Sequence, residues 1–261
     1  MRDIAIVTGA SSGVGAEFVR QLGEGRGGRL DEIWLVARNQ ERLDAVASSC
    51  ATPCRTFALD LCDQACFDVI GDALRADDDL SVRWLVNSAG FGKFGDFGDI
   101  GEVANANMVR LNCLAVVQMC YQALLRMHSG SRIVNLASAA AFVPQPRLSV
   151  YAASKSFVLS LSRSLDHELR EVGIHVTAVC PKFMDTAFLD RPGDRASVAD
   201  KTWIGFERPS DVVSRAIDDA IRGRALCIPS PDMRLAYVAC RLLPDGLVMD
   251  LQQAIGRRLS R

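Results

Sequence analysis

The chain has 261 residues, of which 49% are hydrophobic and 23% are charged, and its formal net charge at pH 7 is −1. This length and apolar content suit one large α/β domain, and the charge excludes the strongly basic footprint of a nucleic-acid-binding protein. The nine cysteines are scattered and form no CxxC pair, so we expect reduced thiols, a cytoplasmic location and no metal site. Neither a signal peptide nor a transmembrane span is expected, because no run of 18 apolar residues occurs.

Short apolar runs alternate with helical patterns along the chain. Seven strands are predicted, at residues 4–8, 33–37, 55–59, 84–87, 132–137, 175–179 and 225–229. Helices are predicted between them, at residues 14–25, 40–49, 63–75, 102–128, 151–172 and 209–222. This alternation predicts a seven-stranded parallel sheet covered by helices on both faces, which is a doubly wound α/β fold.

A glycine-rich turn follows the first predicted strand. Its sequence is Thr8-Gly9-Ala10-Ser11-Ser12-Gly13-Val14-Gly15. Glycines in such a turn allow backbone N–H groups to approach a pyrophosphate at the N-terminus of the next helix. At the first strand–helix junction, the turn predicts a dinucleotide site, although an ordinary connecting turn is the alternative. The expected contacts are Gly9, Ser11, Ser12, Gly13, Val14 and Gly15.

The ends of the next three strands carry polar residues. The second strand ends in a basic residue, Arg38, where a site that prefers NAD usually carries an acid. An arginine can pair with a 2′-phosphate, so Arg38 predicts a preference for NADP(H) over NAD(H); a solvated surface arginine is the alternative. Carboxyl ends of strands are where open α/β sheets bind ligands. The further contacts predicted there are Asp60, Leu61, Asn87, Ala89 and Gly90.

Tyr151 and Lys155 are four residues apart and therefore lie on one face of a predicted helix. A phenol has a pKa near ~10, and an ammonium group within about 4–6 Å lowers it. We therefore expect Lys155 to lower the pKa of Tyr151 and interpret the pair as a tuned acid/base.

Together these motifs resemble those of the short-chain dehydrogenases/reductases, over residues 1–230. The TGxxxGxG, NNAG and YxxxK motifs of that family match Thr8 to Gly15, Asn87-Ser88-Ala89-Gly90 and Tyr151 to Lys155. The catalytic asparagine and serine of the family match Asn112 and Ser138. The resemblance implies a Rossmann-type fold in which residues 1–232 form an NADP(H)-binding reductase domain.

The resemblance also implies hydride transfer between NADP(H) and a carbonyl or secondary alcohol. Tyr151 would exchange the proton, Lys155 would bind the nicotinamide ribose, Ser138 would orient the carbonyl oxygen, and Asn112 would hold a water molecule in a proton relay. After the sixth strand, Lys182 replaces the usual glycine. The cofactor contacts expected there are Pro181, Met184 and Thr186, in addition to Tyr151 and Lys155.

Three further interpretations concern substrate, assembly and alternatives. Aromatic and apolar residues near the expected pocket favour an apolar small-molecule substrate, with simple loop packing as the alternative; these residues are Phe91, Phe142, Val143, Phe183, Met184, Phe188, Trp203 and Phe206. Members of the family commonly form dimers or tetramers, here through residues 102–128 and 151–172. An NAD-preferring dehydrogenase and a catalytically silent NADP(H)-sensing protein are the alternative functions.

Two segments stand apart from this pattern. Residues 182–208 form a long connection, which we expect to close as a lid over cofactor and substrate. Residues 233–261 are expected to extend the same domain as two helices, at 233–243 and 247–259. These helices would pack on the domain or on a partner subunit, with a membrane-surface position as the alternative.

Overall fold

The computed structural model describes residues 1–184 and 205–251, and a parallel sheet of seven strands runs through them. The strands are β1 (Arg2–Thr8), β2 (Glu32–Ala37), β3 (Cys54–Ala58), β4 (Leu80–Asn87), β5 (Arg132–Leu136), β6 (His175–Val179) and β7 (Leu226–Cys227). Their order across the sheet is β3-β2-β1-β4-β5-β6-β7, and every pairing is parallel. The predicted fold class is therefore confirmed.

Helices cover both faces of this sheet. They are α1 (Gly13–Gly23), α2 (Gln40–Ser49), α3 (Ala65–Arg75), α4 (Phe97–Ile100), α5 (Glu102–Val109), α6 (Ala115–Leu124), α7 (Ser149–Leu169), α8 (Pro209–Ile221) and α9 (Pro231–Leu242). Side chains of a strand point alternately to opposite faces. Ile4 and Ile6 of β1 thus pack with α3, α6 and α7, whereas Ala5 and Val7 pack with α1, α2 and α8. Burial on both faces explains why the strands are nearly continuous apolar runs.

Three elements differ from the sequence-based prediction. Strand β4 begins at Leu80 rather than at residue 84, because Leu80 and Val82 pair with β1 and are buried. Strand β7 spans two residues instead of five; it is an edge strand with a single neighbour, and Pro229 has no N–H group to extend it. The helix predicted over residues 102–128 ends at Leu124 and is divided by a π-helical turn, Arg110–Leu114, between α5 and α6.

The C-terminal extension starts with α9, whose first residue is Pro231, and continues as a second helix over residues 245–251. No residue of α9 is buried. None of the helices described is long and apolar enough to cross a bilayer. The rest of the predicted second helix lies outside the described residues, as do Thr186, Phe188, Trp203 and most of the expected lid. These expectations therefore stay predictions.

Strand order determines where a ligand can bind. The chain moves outward from β1 through β2 to β3, then returns to β4 on the other side of β1 and continues to β7. Loops after β1 and β4 therefore leave the sheet in opposite directions and open a crevice at the carboxyl ends of the strands.

Candidate active site

A cleft of about 2070 Å³ lies at the carboxyl ends of the strands. Most of the residues that the sequence predicts for cofactor and substrate line it. Those at the cofactor end are Gly9, Ser11, Ser12, Gly13, Val14, Arg38, Asp60, Leu61, Ala89 and Gly90, and those near the reacting centre are Ser138, Tyr151, Lys155, Pro181 and Met184. One continuous cleft thus joins the glycine-rich turn to the Tyr151–Lys155 pair.

The glycine-rich turn has the backbone form that a phosphate-binding turn needs. Gly9 and Gly13 have φ angles of +67° and +55°, a region that side chains with a Cβ atom rarely adopt. A Cβ atom on Gly15 would collide with the carbonyl oxygen of Gly9. Thr8 Oγ1 accepts hydrogen bonds from the N–H groups of Ser88 and Ala89, both at 3.1 Å. The turn is therefore pinned to the end of β4, and its backbone fits a pyrophosphate at the N-terminus of α1.

The adenine end of the cleft carries two arginines. Arg38 lies after β2, and Asn39 caps α2 by accepting a hydrogen bond from the Arg42 N–H at 2.8 Å. Arg42 lines the cleft beside Arg38. Sequence reasoning missed Arg42, although its position in the first turn of the helix after Arg38 was a signal for it. Two cations and a helix N-terminus together suit a phosphate better than a bare hydroxyl.

The reacting centre combines side chains from β5 and α7. Ser138 follows β5, begins a short 3₁₀ turn, and accepts a hydrogen bond from the Ala140 N–H at 3.1 Å. A hydrogen bond joins it to the half-buried Tyr151. The buried Lys155 donates from Nζ to the Leu136 carbonyl at 2.6 Å, and Nζ lies 5.8 Å from the centre of the Tyr151 ring. Three of the four predicted catalytic side chains, Ser138, Tyr151 and Lys155, are therefore brought together.

Burial is the largest influence on the pKa values of Tyr151 and Lys155. It raises the pKa of Tyr151 to about 12, although the hydrogen bond with Ser138 acts in the opposite direction. It also lowers the pKa of Lys155 to about 8. The pKa of Tyr151 is therefore raised, whereas the sequence analysis expected it to be lowered. The physical reason is that removal from water disfavours the charged form of both groups.

Asn112 lies in the π-helical turn behind the cleft. Its Nδ2 donates to the Phe91 carbonyl at 2.9 Å and to Ser154 Oγ at 3.0 Å, and its Oδ1 accepts from the Phe91 N–H at 3.1 Å. A Cβ atom on Gly90 would lie 3.0 Å from Asn112 Oδ1 and 3.3 Å from Lys155 Nζ. The side chains of Asn112 and Lys155 therefore both approach Gly90. A π-helical turn is a frequent feature of functional sites.

Two predicted cofactor residues lie behind the cleft lining rather than in it. The side chain of Asn87 is buried, and its Nδ2 donates to Asn135 Oδ1 at 2.8 Å. Asn135 Nδ2 in turn donates to Ser162 Oγ at 2.9 Å. Asn87 is therefore part of a buried network that joins β4, β5 and α7. Gly15, the second residue, has no side chain, and this absence lets the backbone of the turn pack closely against Gly9.

The end of the cleft that is predicted to hold the substrate carries apolar side chains together with the polar residues Lys93, Gln145 and Arg147. Of the residues predicted there, Phe91, Phe142, Val143, Phe183 and Met184 line it. Phe206 does not line it, but its ring centre lies 6.4 Å from that of Phe183. The C-terminal extension adds a wall that sequence reasoning did not assign, formed by Met233, Ala236, Cys240 and Met249.

Comparison with known proteins agrees with this geometry. A profile of the short chain dehydrogenase family matches residues 3–195. An uncharacterized oxidoreductase of Staphylococcus epidermidis is 31% identical over 221 aligned residues, covering 80% of this chain and 93% of that protein.

Solved structures show the same similarity over almost the whole chain. A short-chain dehydrogenase from Sphingobium yanoikuyae in complex with NADPH superposes with a TM-score of 0.78 at 28% identity, covering 97% of this chain and 96% of that one. A bulky-bulky ketone specific alcohol dehydrogenase from Comamonas testosteroni gives a TM-score of 0.73 at 26% identity, covering 94% and 93% of the two chains. With the matched family profile and the geometry of the cleft, the chain therefore belongs to the short-chain dehydrogenase family of oxidoreductases.

Proposed function

We propose that the protein interconverts a carbonyl compound and a secondary alcohol with NADP(H), and that its substrate is a largely apolar small molecule. The observation that carries this proposal is the meeting of Ser138, Tyr151 and Lys155 on the wall of the cleft that begins at the glycine-rich turn. A nicotinamide cofactor bound along this cleft supplies or accepts the hydride. The apolar lining and the ketone specificity named for the Comamonas relative support the substrate class.

Each catalytic side chain has one task in this proposal. In the reducing direction, Tyr151 donates its phenolic proton to the developing alkoxide, and in the oxidising direction the phenolate accepts it. Ser138 donates a hydrogen bond to the substrate oxygen and stabilises its negative charge. Lys155 binds the cofactor ribose and supplies positive charge beside Tyr151. Asn112 positions the Phe91 segment and holds a water molecule next to Lys155.

The preference for NADP(H) is proposed from the adenine end of the cleft. Arg38 and Arg42 both line it, next to the N-terminus of α2. An arginine fork binds a phosphate through two charge-assisted hydrogen bonds. The Sphingobium relative was solved with NADPH, which supports the same choice. An NAD-preferring enzyme of the same type is the alternative.

The proposal is tested by Tyr151→Phe, which removes only the phenolic hydroxyl. We expect the NADPH dissociation constant to change little and ketone reduction to fall by about 10²–10⁴-fold, the usual contribution of a general acid. The matched control is Tyr121→Phe, which removes the same group from an exposed residue of α6. Stopped-flow fluorescence of bound NADPH and absorbance at 340 nm measure the two quantities. Full activity in Tyr151→Phe contradicts the proposed role.

A catalytically silent NADP(H) sensor is the second candidate function. A sensor needs the glycine-rich turn and Arg38 but not a proton donor. The hydrogen-bonded Ser138–Tyr151 pair on the cleft wall therefore favours the enzyme. Tight NADPH binding without reduction of any of a broad set of ketones and aldehydes would favour the sensor.

The proposal also covers the cellular location and the oligomeric state of the protein. All nine cysteines are free thiols, which supports a reducing compartment such as the cytoplasm. We further propose a homo-oligomer that uses the α5–α6 and α7 region, because α6 exposes a row of apolar side chains.

A further inference from the structure

Helix α9 forms a wall of the substrate end of the cleft although none of its residues is buried. Met233, Ala236 and Cys240 face the cleft, whereas Leu235 and Leu242 are 75% and 77% exposed. Met233 and Tyr237 pack against the core only partly buried, and the ring centre of Tyr237 lies 5.0 Å from that of Phe142. The hydrophobic effect therefore stabilises the position of α9 less than that of a buried helix, and polar contacts contribute to it as well.

The polar contact that links α9 to the segment after β6 is an ion pair at the start of the helix. Lys182 Nζ lies 2.9 Å from Asp232 Oδ2, and the two side chains are 14% and 49% exposed. Partial burial acts to raise the pKa of Asp232 and is the largest single influence on it. The hydrogen bonds from Lys182, Ser230 and the Met233 N–H, together with the positive charge of Lys182, outweigh burial, so this pKa is lowered. An ion pair of which one member is largely removed from water is screened less than an ordinary surface pair.

Lys182 also belongs to the segment that borders the reacting centre. Pro181, its neighbour, accepts a hydrogen bond at its carbonyl from the Ala139 N–H at 2.9 Å, next to Ser138. The backbone N–H of Lys182 donates to Glu207 Oε2 at 2.9 Å, and the Glu207 N–H donates to the Phe183 carbonyl at 2.8 Å. The backbone around Lys182 is thus held on two sides, and its side chain reaches from this fixed point to α9.

We propose that Lys182 is a specificity-determining positioning residue, which fixes α9 through Asp232 and thereby sets the width of the substrate end for bulky apolar carbonyl compounds. This inference rests on the proposed function. A glycine, the residue usual for the family at this position, has no side chain to make the contact. Without the ion pair, α9 loses its polar anchor to the 181–184 segment and the apolar wall shifts. Cofactor contacts at the other end of the cleft are unaffected.

Three variants test the proposal: Lys182→Met, Asp232→Asn, and the exchanged double variant Lys182→Asp/Asp232→Lys. The probes are butan-2-one, a small ketone, and dodecan-2-one, a bulky apolar one. In each single variant we expect KM for dodecan-2-one to rise about tenfold, equivalent to roughly 1.4 kcal/mol, with kcat/KM for butan-2-one and the NADPH dissociation constant almost unchanged. The double variant should recover part of the loss, because it restores an ion pair between the two positions. The recovery should be incomplete, because a cation near the N-terminus of α9 is less favourable than an anion.

The matched control is Asp211→Asn, which makes the same change in the first turn of α8, away from the cleft. Asp211→Asn removes a carboxylate from the first turn of a helix without breaking the Lys182–Asp232 pair. A rise of KM that both variants share would therefore not come from the loss of Lys182 as a partner. Equal rises of KM for dodecan-2-one in Asp211→Asn and Asp232→Asn would overturn the proposal.

A second measurement does not depend on turnover. Amide hydrogen exchange of residues 231–242 should become faster in both single variants, while residues 149–169 of α7 stay protected. Unchanged exchange in α9 would overturn the anchoring role. Faster exchange with an unchanged KM for dodecan-2-one would overturn the specificity role. A wild type that reduces neither ketone would contradict the proposed function, and hydrogen exchange alone would then decide whether Lys182 anchors α9.

Discussion

Tyr151 and Lys155 lie one turn apart on α7, and burial changes their pKa values in opposite directions. With a pKa of about 12, the phenol of Tyr151 stays protonated at neutral pH, which is the form that the proposed proton donation requires. Lys155, with a pKa of about 8, remains mostly charged at pH 7 inside a buried site. A buried ammonium that lowers stability is expected only where its charge has a function.

Lys155→Met should therefore make the protein more stable at pH 7 while abolishing turnover. In the wild type, the pKa of Lys155 is about 8 in the folded state and ~10.4 in the unfolded chain. Between these pH values the unfolded state binds more protons than the folded state, so the stability of the wild type rises with pH there. At pH 7 the variant should gain on the order of 1–2 kcal/mol after the loss of the hydrogen bond to Leu136. Denaturant unfolding at pH 7 and pH 10.5 checks this. A variant that is less stable at both pH values would contradict it.

Arg38→Asp should reverse the cofactor preference from NADP(H) to NAD(H). A charge-assisted hydrogen bond contributes on the order of 1.5–3 kcal/mol, which corresponds to roughly 10- to 100-fold in affinity. An aspartate would repel the 2′-phosphate and accept a hydrogen bond from the ribose 2′-hydroxyl instead. Arg29→Asp makes the same charge change at an exposed residue that does not line the cleft. Titration of both cofactors measures the ratio, and tighter binding of NADH than NADPH by the wild type would contradict the proposed preference.

At the scale of elements, a buried polar network sets the position of α7 relative to the sheet. Asn87 of β4, Asn135 of β5 and Ser162 of α7 are joined by hydrogen bonds, and Ser162 Oγ also donates to the Val158 carbonyl at 2.6 Å. Asp166 of α7 accepts a hydrogen bond from the Val176 N–H of β6 at 3.0 Å. These contacts place the helix that carries Tyr151 and Lys155 at a defined height above the strands.

Asn135→Leu should lower the free energy of unfolding by about 1–3 kcal/mol, because it leaves the buried Asn87 Nδ2 with only the weak acceptor Cys120 Sγ, at 3.5 Å. Replacing both partners in Asn87→Leu/Asn135→Leu should be less destabilising than the sum of the two single changes, since no unpaired amide then remains. Urea unfolding of the wild type, the two single variants and the double variant measures the coupling between the two amides. Strict additivity would show that the two amides do not act as a unit.

At the scale of the molecule, the surface of α6 carries a row of apolar side chains. Leu114, Val117, Tyr121 and Leu125 follow helical spacing and are all exposed. The apolar residues that the sequence suggests for a subunit interface are Val116, Val117, Met119, Phe157, Val158 and Leu161. Val117 and Phe157 are exposed and Leu161 is partly buried, whereas Val116, Met119 and Val158 are buried in the core. The proposed interface therefore uses the same helices but only part of the suggested residues.

We expect the protein to be a homo-oligomer at micromolar concentration and the double variant Val117→Asp/Tyr121→Asp to be a monomer. Introducing charges into an apolar interface leaves them buried and unpaired. The control Ile221→Asp introduces a charge at an exposed apolar residue of α8, on the opposite side of the sheet. Light scattering gives the masses. A monomeric wild type, or an oligomer unaffected by the double variant, would contradict this interface.

Features formed by residues that are close together in the chain could be predicted from the amino-acid sequence alone. The glycine-rich turn and the Tyr151–Lys155 spacing are each contained in one turn or one helix, so local geometry was enough to identify them. The alternation of strands and helices was enough for the doubly wound sheet.

Tertiary structure decided the features that depend on residues far apart in the chain. Burial, which reverses the expected shift for Tyr151, is the sum of contacts from several elements. The Asn87–Asn135 bond joins residues 48 positions apart, and the Lys182–Asp232 pair joins residues 50 positions apart. No spacing rule links such partners, because the fold alone brings them within hydrogen-bonding distance. For the same reason, only the folded chain shows that α9 closes one side of the substrate cleft.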